Sequence, residues 1–434
     1  MTGKALETNR RTLLLGLGAA ALIPQAMPAA ARSLPAFPTV NPGTDTSYWN
    51  TVRDLYTVTP DMVNLENGYW GIMAEPVKAE YKRLTDFVNF ENTVYARSRI
   101  GADLDNVRTP LAAFLGVARE EIALTRGATE ALQALISGYN KLKPGDTVLY
   151  ADLDYDSMQY AMNWLKARRG VDVVRFDIPE PATRQAVLDA YDAALKANPR
   201  TKLLLLTHIS HRTGLMMPIK ELAAMAKAHG ADVILDAAHS WGQVAFQARD
   251  LGVDFIGFNL HKWIGAPLGV GLLYIAKDRL GDIDPYMADE DFKADDVRSR
   301  IHTGTPNFAA QLAVPAALAL HQEIGPEAKE ARYRHLRNHW VAKARELKGV
   351  EIQTPDDPGM VAGITSFALT GKRSPAETNA IVAELRDKHK VMTVRRGGVA
   401  KGNTIRISPA PYIMEADLDR FVEALAIVSG NRAG

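Results

Sequence analysis

Cysteine is absent from this chain of 434 residues. The absence excludes disulfide bonds, thiolate metal sites and a cysteine nucleophile. An excess of charge is absent as well, because 51 basic residues are balanced by 50 acidic ones and the formal net charge is +1. This balance gives no electrostatic reason to expect a nucleic acid or an anionic membrane surface as the partner. We therefore expect a small molecule to be the ligand.

Long apolar runs are also lacking. Residues 13–23 form an apolar run, but a transmembrane helix needs roughly 18 such residues, so no membrane anchor is expected after cleavage. Arg10 and Arg11 precede this run, and the small residues 29–31 follow it. The pattern predicts a twin-arginine signal over 1–31, recognised by the twin-arginine export machinery and leading to the periplasm. The alternative is an ordinary secretory signal in which the two arginines only supply positive charge.

The rest of the chain has the composition of a globular protein, with 47% hydrophobic and 23% charged residues. We expect a linker over 32–47, an N-terminal segment over 48–75, a large domain over 76–310 and a small α+β domain over 311–434. Short apolar runs alternate with amphipathic segments in the large domain, which is typical of an α/β fold with a mostly parallel sheet. The predicted strands are 122–124, 147–151, 171–176, 202–208, 232–236, 255–260 and 271–275, and the predicted helices are 129–139, 157–169, 185–198 and 219–229.

Three segments outside this alternation have weaker signals. The acidic stretch 284–300 is predicted to be a surface loop, with a mobile flap as the alternative. Residues 404–408 and 415–428 are predicted to be a strand and a helix. His335 and His339 have helical spacing, but Leu336 stands where a metalloprotease needs glutamate, and no Gly-x-Ser-x-Gly motif of a hydrolase occurs. These two histidines are expected on a solvated basic helix.

Polar residues that follow the predicted strands are the candidate site residues, because ligands of open α/β sheets bind at the carboxyl ends of strands. Gly127, Ala128 and Thr129 form a small-residue turn that opens a helix, where free N–H groups favour a phosphate. An ordinary helix N-cap at Thr129 is the alternative.

Two further strand ends carry a carboxylate and an amine. Asp236 ends an apolar strand and could hold a pyridine nitrogen protonated, cap a helix or bind a metal. Lys262 follows the next strand between His261 and Trp263. Lysines are usually solvated, but these neighbours favour a desolvated amine that is suited to imine formation.

In order and spacing, these motifs resemble those of the class V aminotransferases, a branch of the fold type I pyridoxal-phosphate enzymes, and within it the isopenicillin N epimerase-like group. The resemblance covers about residues 60–430. It rests on five motifs: Thr-Arg-Gly-Ala-Thr-Glu at 125–130, Asp-Leu-Asp-Tyr at 152–155, Thr-His-Ile-Ser-His-Arg-Thr-Gly at 207–214, Asp-Ala-Ala-His at 236–239 and His-Lys at 261–262.

The resemblance implies roles for individual residues around pyridoxal 5′-phosphate. Lys262 forms the Schiff base and moves the Cα proton, and Asp236 contacts the pyridine nitrogen. Tyr155 stacks on the ring, although a core tyrosine is the alternative. His239 and His211 occupy positions that bond the phenolic oxygen or support the ring.

The same resemblance assigns the two ends of the cofactor and substrate. Gly127, Ala128 and Thr129 hold the phosphate, with a donor from His261 and a loop containing Thr305 from the second subunit of a homodimer. The resemblance implies that Arg406 binds the substrate carboxylate, with an exposed strand arginine as the alternative. Asn67 lies in a loop that resembles the substrate entrance, and a simple turn is the alternative.

The reaction stays open at this point. Reprotonation at the cofactor gives transamination, reprotonation at Cα gives epimerisation, and loss of a β-substituent gives carbon–sulfur lyase chemistry. Cysteine desulfuration needs a thiol to accept the sulfur. Because the chain has none, this reaction is excluded unless an external thiol serves. With its predicted export, the chain resembles twin-arginine-exported members of the family that tailor siderophore peptides such as pyoverdine. This resemblance implies a transaminase-type reaction on an amino acid or small peptide. A cofactor-binding pseudoenzyme is the non-catalytic alternative.

Overall fold

The computed structural model describes residues 42–180, 182–288, 290–302 and 304–432. The predicted signal over 1–31 and residues 32–41 of the predicted linker lie outside this range. Within it, no helix combines the length and the apolar character needed to cross a membrane.

Thirteen strands and twelve α-helices form the described part of the chain. The strands are β1 (Val63–Asn64), β2 (Ile122–Thr125), β3 (Thr147–Ala151), β4 (Asp172–Phe176), β5 (Thr201–Thr207), β6 (Asp232–Asp236), β7 (Phe255–Asn259), β8 (Gly271–Ile275), β9 (Val350–Ile352), β10 (Thr365–Leu369), β11 (Val391–Met392), β12 (Val394–Arg396) and β13 (Thr404–Ile407). The helices are α1 (Thr46–Arg53), α2 (Glu75–Ser98), α3 (Ile100–Leu115), α4 (Ala128–Gly138), α5 (Asp156–Arg169), α6 (Arg184–Ala197), α7 (Ile219–Ala228), α8 (Phe308–Leu312), α9 (Val314–Ile324), α10 (Pro326–Ala344), α11 (Pro375–Asp387) and α12 (Glu415–Val428).

A seven-stranded sheet with the order β2-β8-β7-β6-β5-β3-β4 forms the centre of the fold. Strands β3 to β7 pair in parallel, and β8 runs antiparallel to both of its neighbours. Along β5, Leu204 and Leu206 pack into one hydrophobic cluster, while Leu203 and Leu205 pack into another on the opposite face. Because both faces are buried, the strands are continuous apolar runs, as expected of a parallel sheet covered by helices. The α/β fold class is confirmed.

A second, antiparallel sheet with the order β12-β13-β10-β9 lies in the C-terminal part of the chain. Its hydrophobic cluster includes Phe367, Trp340 and Phe421, and it also takes in Val63 and Leu65 from the N-terminal segment. The short strand β1 pairs in parallel with β11. The N-terminal segment is therefore folded together with the C-terminal sheet.

The predicted domain bounds stay a prediction, and the packing across them is interleaved. Helix α9 begins beyond the predicted boundary at 311, yet Val314, Ala317 and Leu318 belong to a cluster beneath the large sheet. Residues beyond 311 therefore contribute both to the core beneath the large sheet and to the core of the C-terminal sheet.

Helix α10 differs from the solvated basic helix expected around His335 and His339. Arg332, Arg337 and Trp340 are buried on it. His335 bonds Glu415 at 2.8 Å, and His339 bonds Asp419 at 2.7 Å. The basic residues of α10 thus join it to α12, because partly buried imidazoles and guanidinium groups need partners.

The segment 284–300 is only partly a surface loop. Tyr286 lines the main cavity. Ser299 and Arg300 are buried, and Arg300 donates to the carbonyl oxygens of Leu280 and Ala294 at 3.0 and 2.9 Å. The carbonyl groups of neighbouring turns therefore bind the end of this segment into the fold.

Candidate active site

The carboxyl edge of the large sheet carries the predicted site residues around one cavity of 1040 Å³. Thr207 and Asp236 end neighbouring strands and are paired in register, and Lys262 lies beyond the end of the next strand. Because β8 is antiparallel, its first residue, Gly271, lies at this edge and pairs with Thr125. Parallel strand ends thus bring together groups that are distant in sequence.

Lys262 is half-buried in the cavity wall, and its Nζ lies 3.1 Å from His239 Nε2. Removal of the amine from water lowers its pKa to about 7, and the carboxylate of Asp236 opposes this shift. A lowered pKa leaves much of the amine neutral near pH 7, as imine formation requires. The arrangement supports the predicted role of Lys262.

Asp236 is buried, and burial raises the pKa of its carboxyl group. Among the described residues, the only hydrogen bond to this carboxylate comes from the N–H of Ala238 at 2.9 Å. No cluster of three or more histidine, aspartate or glutamate side chains suited to a metal occurs in the described ranges. A buried carboxylate with spare acceptor capacity fits the protonated nitrogen of a pyridine ring.

The predicted phosphate site lies where α4 begins. Gly127 is its N-cap residue, so the alternative that placed the N-cap at Thr129 is wrong. The N–H of Ala128 donates to Asn259 Oδ1 at 2.7 Å and is already in use. A Cβ at position 127 would lie 3.0 Å from Asn259 Oδ1 and 3.3 Å from His261 Cε1, which explains the glycine. Thr129 offers the first-turn N–H that the helix itself does not use.

The hydrogen bonding of His261 shows which of its two ring nitrogens carries the proton when the ring is neutral. Its Nδ1 lies 2.9 Å from the carbonyl oxygen of Val270, so this nitrogen carries the proton. Burial lowers the pKa of His261 and favours the neutral ring. In the neutral ring Nε2 is an acceptor. The predicted donation from His261 to a phosphate therefore requires the protonated ring, which the phosphate charge would favour.

Tyr155 and His211 form the aromatic wall of the cavity. Their rings meet edge to face with centroids 5.1 Å apart. Tyr155 is 38% exposed, so it is not a core tyrosine. His211 is buried, its Nδ1 has no hydrogen-bond partner in the described residues, and burial lowers its pKa to about 3. A neutral imidazole with an unused ring nitrogen fits a role beside a cofactor's polar edge.

The other predicted residues differ in their placement. Arg406 lines the cavity and is buried, which rules out the exposed arginine. Asn67 is not a lining residue; its oxygen accepts from Tyr412 at 2.6 Å, and its nitrogen donates to the carbonyl oxygens of Asn64 and Ser408 at 2.8 and 3.0 Å. These bonds hold the loop, so its predicted substrate contact has no support here. Thr305 is exposed and does not line the cavity, and its role in a partner's site stays a prediction.

The sequence interpretation did not identify several residues of the site. Thr207 lies in the cavity wall and donates to the buried Asp154 at 2.6 Å. Trp263 Nε1 donates to His239 Nδ1 at 3.3 Å. Thr207 ends β5 and lies one residue before the end of the predicted strand 202–208, so that signal could have found it. Glu66 accepts hydrogen bonds from both Arg406 and Arg396. No local sequence motif distinguishes Glu66 or Arg396 as a site residue.

These side chains fit pyridoxal phosphate. A buried carboxylate is available for the pyridine nitrogen, a neutral amine for the imine, an aromatic wall for the ring and a helix N-terminus for the phosphate. Asp236, Lys262, Tyr155 and Thr129 would supply them in that order.

Known proteins of two named activities resemble this chain over most of its length. Isopenicillin N epimerase from Streptomyces clavuligerus is 29% identical over 405 residues, covering 88% of this chain and 98% of the epimerase. A probable cysteine desulfurase from Methanothermobacter thermautotrophicus is 26% identical over 351 residues, covering 75% of this chain and 84% of that protein.

Solved structures share the fold. The cysteine desulfurase CsdA from Escherichia coli superposes with a TM-score of 0.74 at 20% identity, covering 87% of this chain and 97% of that one. A form of C-DES with glycine covalently linked to its PLP cofactor gives a TM-score of 0.73 at 22% identity, covering 85% and 97%.

The sequence profile of the aminotransferase class-V family matches residues 77–421, which include every cavity-lining residue discussed above. Family, fold and site agree, and the predicted cofactor is confirmed. The chain therefore belongs to the class V aminotransferase family and is a pyridoxal-phosphate-dependent enzyme.

Proposed function

We propose that this enzyme acts at Cα of an amino acid, or on the amino group of a small peptide, by transaminase-type chemistry. The observation that carries the proposal is the amine of Lys262, which faces the cavity with a pKa of about 7 beside His239. An amine of this kind can release a bound cofactor to an incoming substrate amine and then accept a proton from the substrate.

Each cavity residue has a defined task in this scheme. The cofactor, when bound, supplies an electron sink for a bond broken at Cα. Asp236 keeps the pyridine nitrogen protonated, and Tyr155 and His211 support the ring. Lys262 removes the Cα proton and can return it at another carbon. Transamination needs no second acid, which is why we place it first.

Epimerisation is the second candidate, and Tyr155 is the observation that favours it. Its partly exposed side chain lines the cavity, so its hydroxyl could protonate Cα from the face opposite Lys262. The similarity of the chain to isopenicillin N epimerases also supports this alternative. Carbon–sulfur lyase chemistry would use the same residues, but sulfur transfer to the enzyme itself has no acceptor in a chain without cysteine.

We further propose that the enzyme works in the periplasm after export through the twin-arginine machinery, and that it tailors a siderophore peptide such as pyoverdine. The arginine pair at positions 10 and 11 and the apolar run 13–23 support export. A homodimer in which the loop around Thr305 completes the partner's phosphate site belongs to the same proposal. A monomer that retains its cofactor would contradict the dimer.

The test begins with the colour of the purified enzyme. The wild-type protein should absorb in the visible range as a lysine-bound cofactor, and Lys262→Ala should lose that band. A wild-type protein that stays colourless on reconstitution with the cofactor would contradict a pyridoxal-phosphate-dependent enzyme.

The second step separates the reactions. Candidate amino acids and siderophore peptides are incubated with the coloured enzyme in deuterium oxide, and products are analysed by mass spectrometry and chiral chromatography. An oxo product supports transamination, an inverted centre with deuterium at Cα supports epimerisation, and loss of a β-substituent supports the lyase. Conversion by Lys262→Ala at the wild-type rate would contradict the assigned base.

A further inference from the structure

Lys329 on helix α10 is a buried lysine that does not line the main cavity. It forms no ion pair within the described ranges, and its Nζ donates to the carbonyl oxygen of Trp263 at 2.7 Å. His321 on α9 interacts with it electrostatically, but burial lowers the pKa of His321 and keeps that ring neutral. An amine buried without a counter-charge costs free energy that an apolar side chain would not. Packing alone therefore does not explain a lysine at this position.

The hydrogen bond of Lys329 joins α10 to the segment that carries the reactive lysine. Three successive carbonyl groups of this segment accept hydrogen bonds. Those of His261 and Lys262 accept from backbone N–H groups at 2.9 and 3.1 Å, and that of Trp263 accepts from Lys329. Of the three bonds, the third alone depends on a side chain. Position 329 therefore controls how the main chain of Trp263 is held.

Helix α10 contacts the side chain of Trp263 as well. Tyr333 lies four residues after Lys329 and so on the same face of the helix. Its ring meets the ring of Trp263 edge to face, with centroids 5.1 Å apart, and both rings are buried in one hydrophobic cluster. The helix thus holds Trp263 by its carbonyl group and by its ring, which fixes the direction of the indole N–H.

The indole N–H of Trp263 reaches the reactive amine through His239. It donates to His239 Nδ1 at 3.3 Å, and His239 Nε2 lies 3.1 Å from Lys262 Nζ. Because an indole N–H only donates, this bond leaves the imidazole proton on Nε2. The main chain of His239 is held separately, since Gln243 donates to its carbonyl oxygen at 2.6 Å. A bond of 3.3 Å is already long, so a small displacement of Trp263 would break it.

We propose that Lys329 is a positioning residue of the active site: it holds Trp263 where the indole N–H meets His239, and through that histidine it maintains the contact with the amine of Lys262. The proposal rests on the proposed function, in which Lys262 forms the imine and moves the proton. It adds to that function a side chain outside the main cavity.

Lys329→Met tests this role, because it removes the donor and keeps an unbranched side chain. Trp263 can then shift, and His239 can present an unprotonated Nε2, which favours the ammonium form of Lys262. The pKa of Lys262 should rise by about 0.5 unit, the value of a weak hydrogen bond. The other charged groups that act on Lys262 are unchanged in this variant: Asp236, Arg406, Arg396 and Glu66.

Two pH profiles of the full-length protein measure the pKa of Lys262. The first is the rate of covalent binding of pyridoxal phosphate after the cofactor has been removed. The second is the rate of acetylation of Lys262 by acetic anhydride, followed by mass spectrometry, and it needs no cofactor. Lys343→Met is the matched control, because it removes the same charge from an exposed position of α10, where the lysine pairs with Asp419. It should leave both profiles unchanged.

A Trp263→Phe background separates positioning from a direct effect of charge. Lys329 has no indole to position there, so adding Lys329→Met should shift the profiles by less than about 0.2 unit. A direct effect of the Lys329 charge on Lys262 does not need the indole. Equal shifts in the two backgrounds would therefore overturn the proposal.

The remaining outcomes are also decisive. A Lys329→Met protein that loses stability but keeps the wild-type profiles would show a purely structural lysine and would overturn the proposal. If Lys329→Met does not fold, Lys329→Gln, which carries a shorter and uncharged donor, takes its place in the same comparison. A wild-type holoenzyme without a visible band would instead contradict the proposed function, and the acetylation profiles would still decide the role of Lys329.

Discussion

Trp263 gives His239 a defined tautomer. An indole N–H is only a donor, so His239 Nδ1, at 3.3 Å, must be the unprotonated nitrogen. The proton then lies on Nε2, which faces Lys262 Nζ at 3.1 Å and donates to its lone pair. Only a neutral amine has that lone pair. The tryptophan thus favours the reactive form of the lysine through the histidine.

Replacement of Trp263 by phenylalanine should raise the pKa of Lys262. Without the indole donor, His239 can present an unprotonated Nε2, which favours the ammonium form. The expected rise is up to about one unit, the value of a modest hydrogen bond. The pH dependence of the rate at which pyridoxal phosphate binds covalently to the cofactor-free protein measures it, because the neutral amine is the reactant.

Trp241→Phe is the control for this measurement. Trp241 is equally buried, and its Nε1 has no partner in the described part of the chain. Its replacement should leave the pH profile unchanged. The tautomer assignment fails if both variants shift the profile equally or if neither does.

At the level of elements, the loop 66–71 is fixed against the segment that carries the lysine. The N–H of Gly71 donates to the carbonyl oxygen of His261 at 2.9 Å. A Cβ at position 71 would lie 1.9 Å from the carbonyl oxygen of Lys262. Only glycine allows the two backbones to approach this closely.

Gly71→Ala should therefore displace either the loop or Lys262. We expect a loss of stability of about 1–3 kcal/mol, as for overpacked sites, and at least a 10-fold loss of cofactor affinity. Thermal unfolding and absorbance titration with pyridoxal phosphate measure the two effects. Gly101→Ala in α3, where nothing lies within 4 Å, should bind the cofactor normally and gain up to about 1 kcal/mol. Normal cofactor binding by Gly71→Ala would show that the loop is not fixed.

For the whole molecule, the buried histidines determine part of the response to acid. Burial lowers the pKa of His208 from 6.5 to about 4. Between these values the unfolded chain takes up a proton that the folded chain does not, so stability falls as the pH falls through this window. Asp154 acts in the opposite direction, because burial raises its pKa from 3.8 to about 7 and the folded chain binds the additional proton.

His208→Phe isolates the histidine contribution. Relative to wild type, the variant should gain about 2 kcal/mol of unfolding free energy between pH 8 and pH 5. Denaturant unfolding at both pH values, in the same cofactor-loaded state, measures the difference. Phe246→Leu alters the ring that contacts His208, with centroids 5.3 Å apart, and its effect should not depend on pH. A His208→Phe effect that is equal at both pH values would contradict the lowered pKa.

The sequence determined the strands of the central sheet and the reactive residues at their carboxyl ends. Strands β3, β6 and β8 and helix α12 have the predicted bounds, and other predicted elements differ by one or two residues, because apolar runs and glycine positions are local signals. The same signals placed Asp236 and Lys262 at strand ends. Strands β1 and β9 to β12 and helices α1 to α3 and α11 were not predicted.

Tertiary structure decided which side chains meet around those ends. Glu66 reaches Arg406 across 340 residues, and Asn259 takes the N–H of Ala128 across 131. Such pairs form because the ends of parallel strands lie side by side and because the N-terminal segment packs against the C-terminal sheet. No local sequence pattern encodes these contacts. The sequence therefore determined the cofactor chemistry, and only the fold decided which side chains surround the reactive lysine, because those contacts join residues that are distant in the chain.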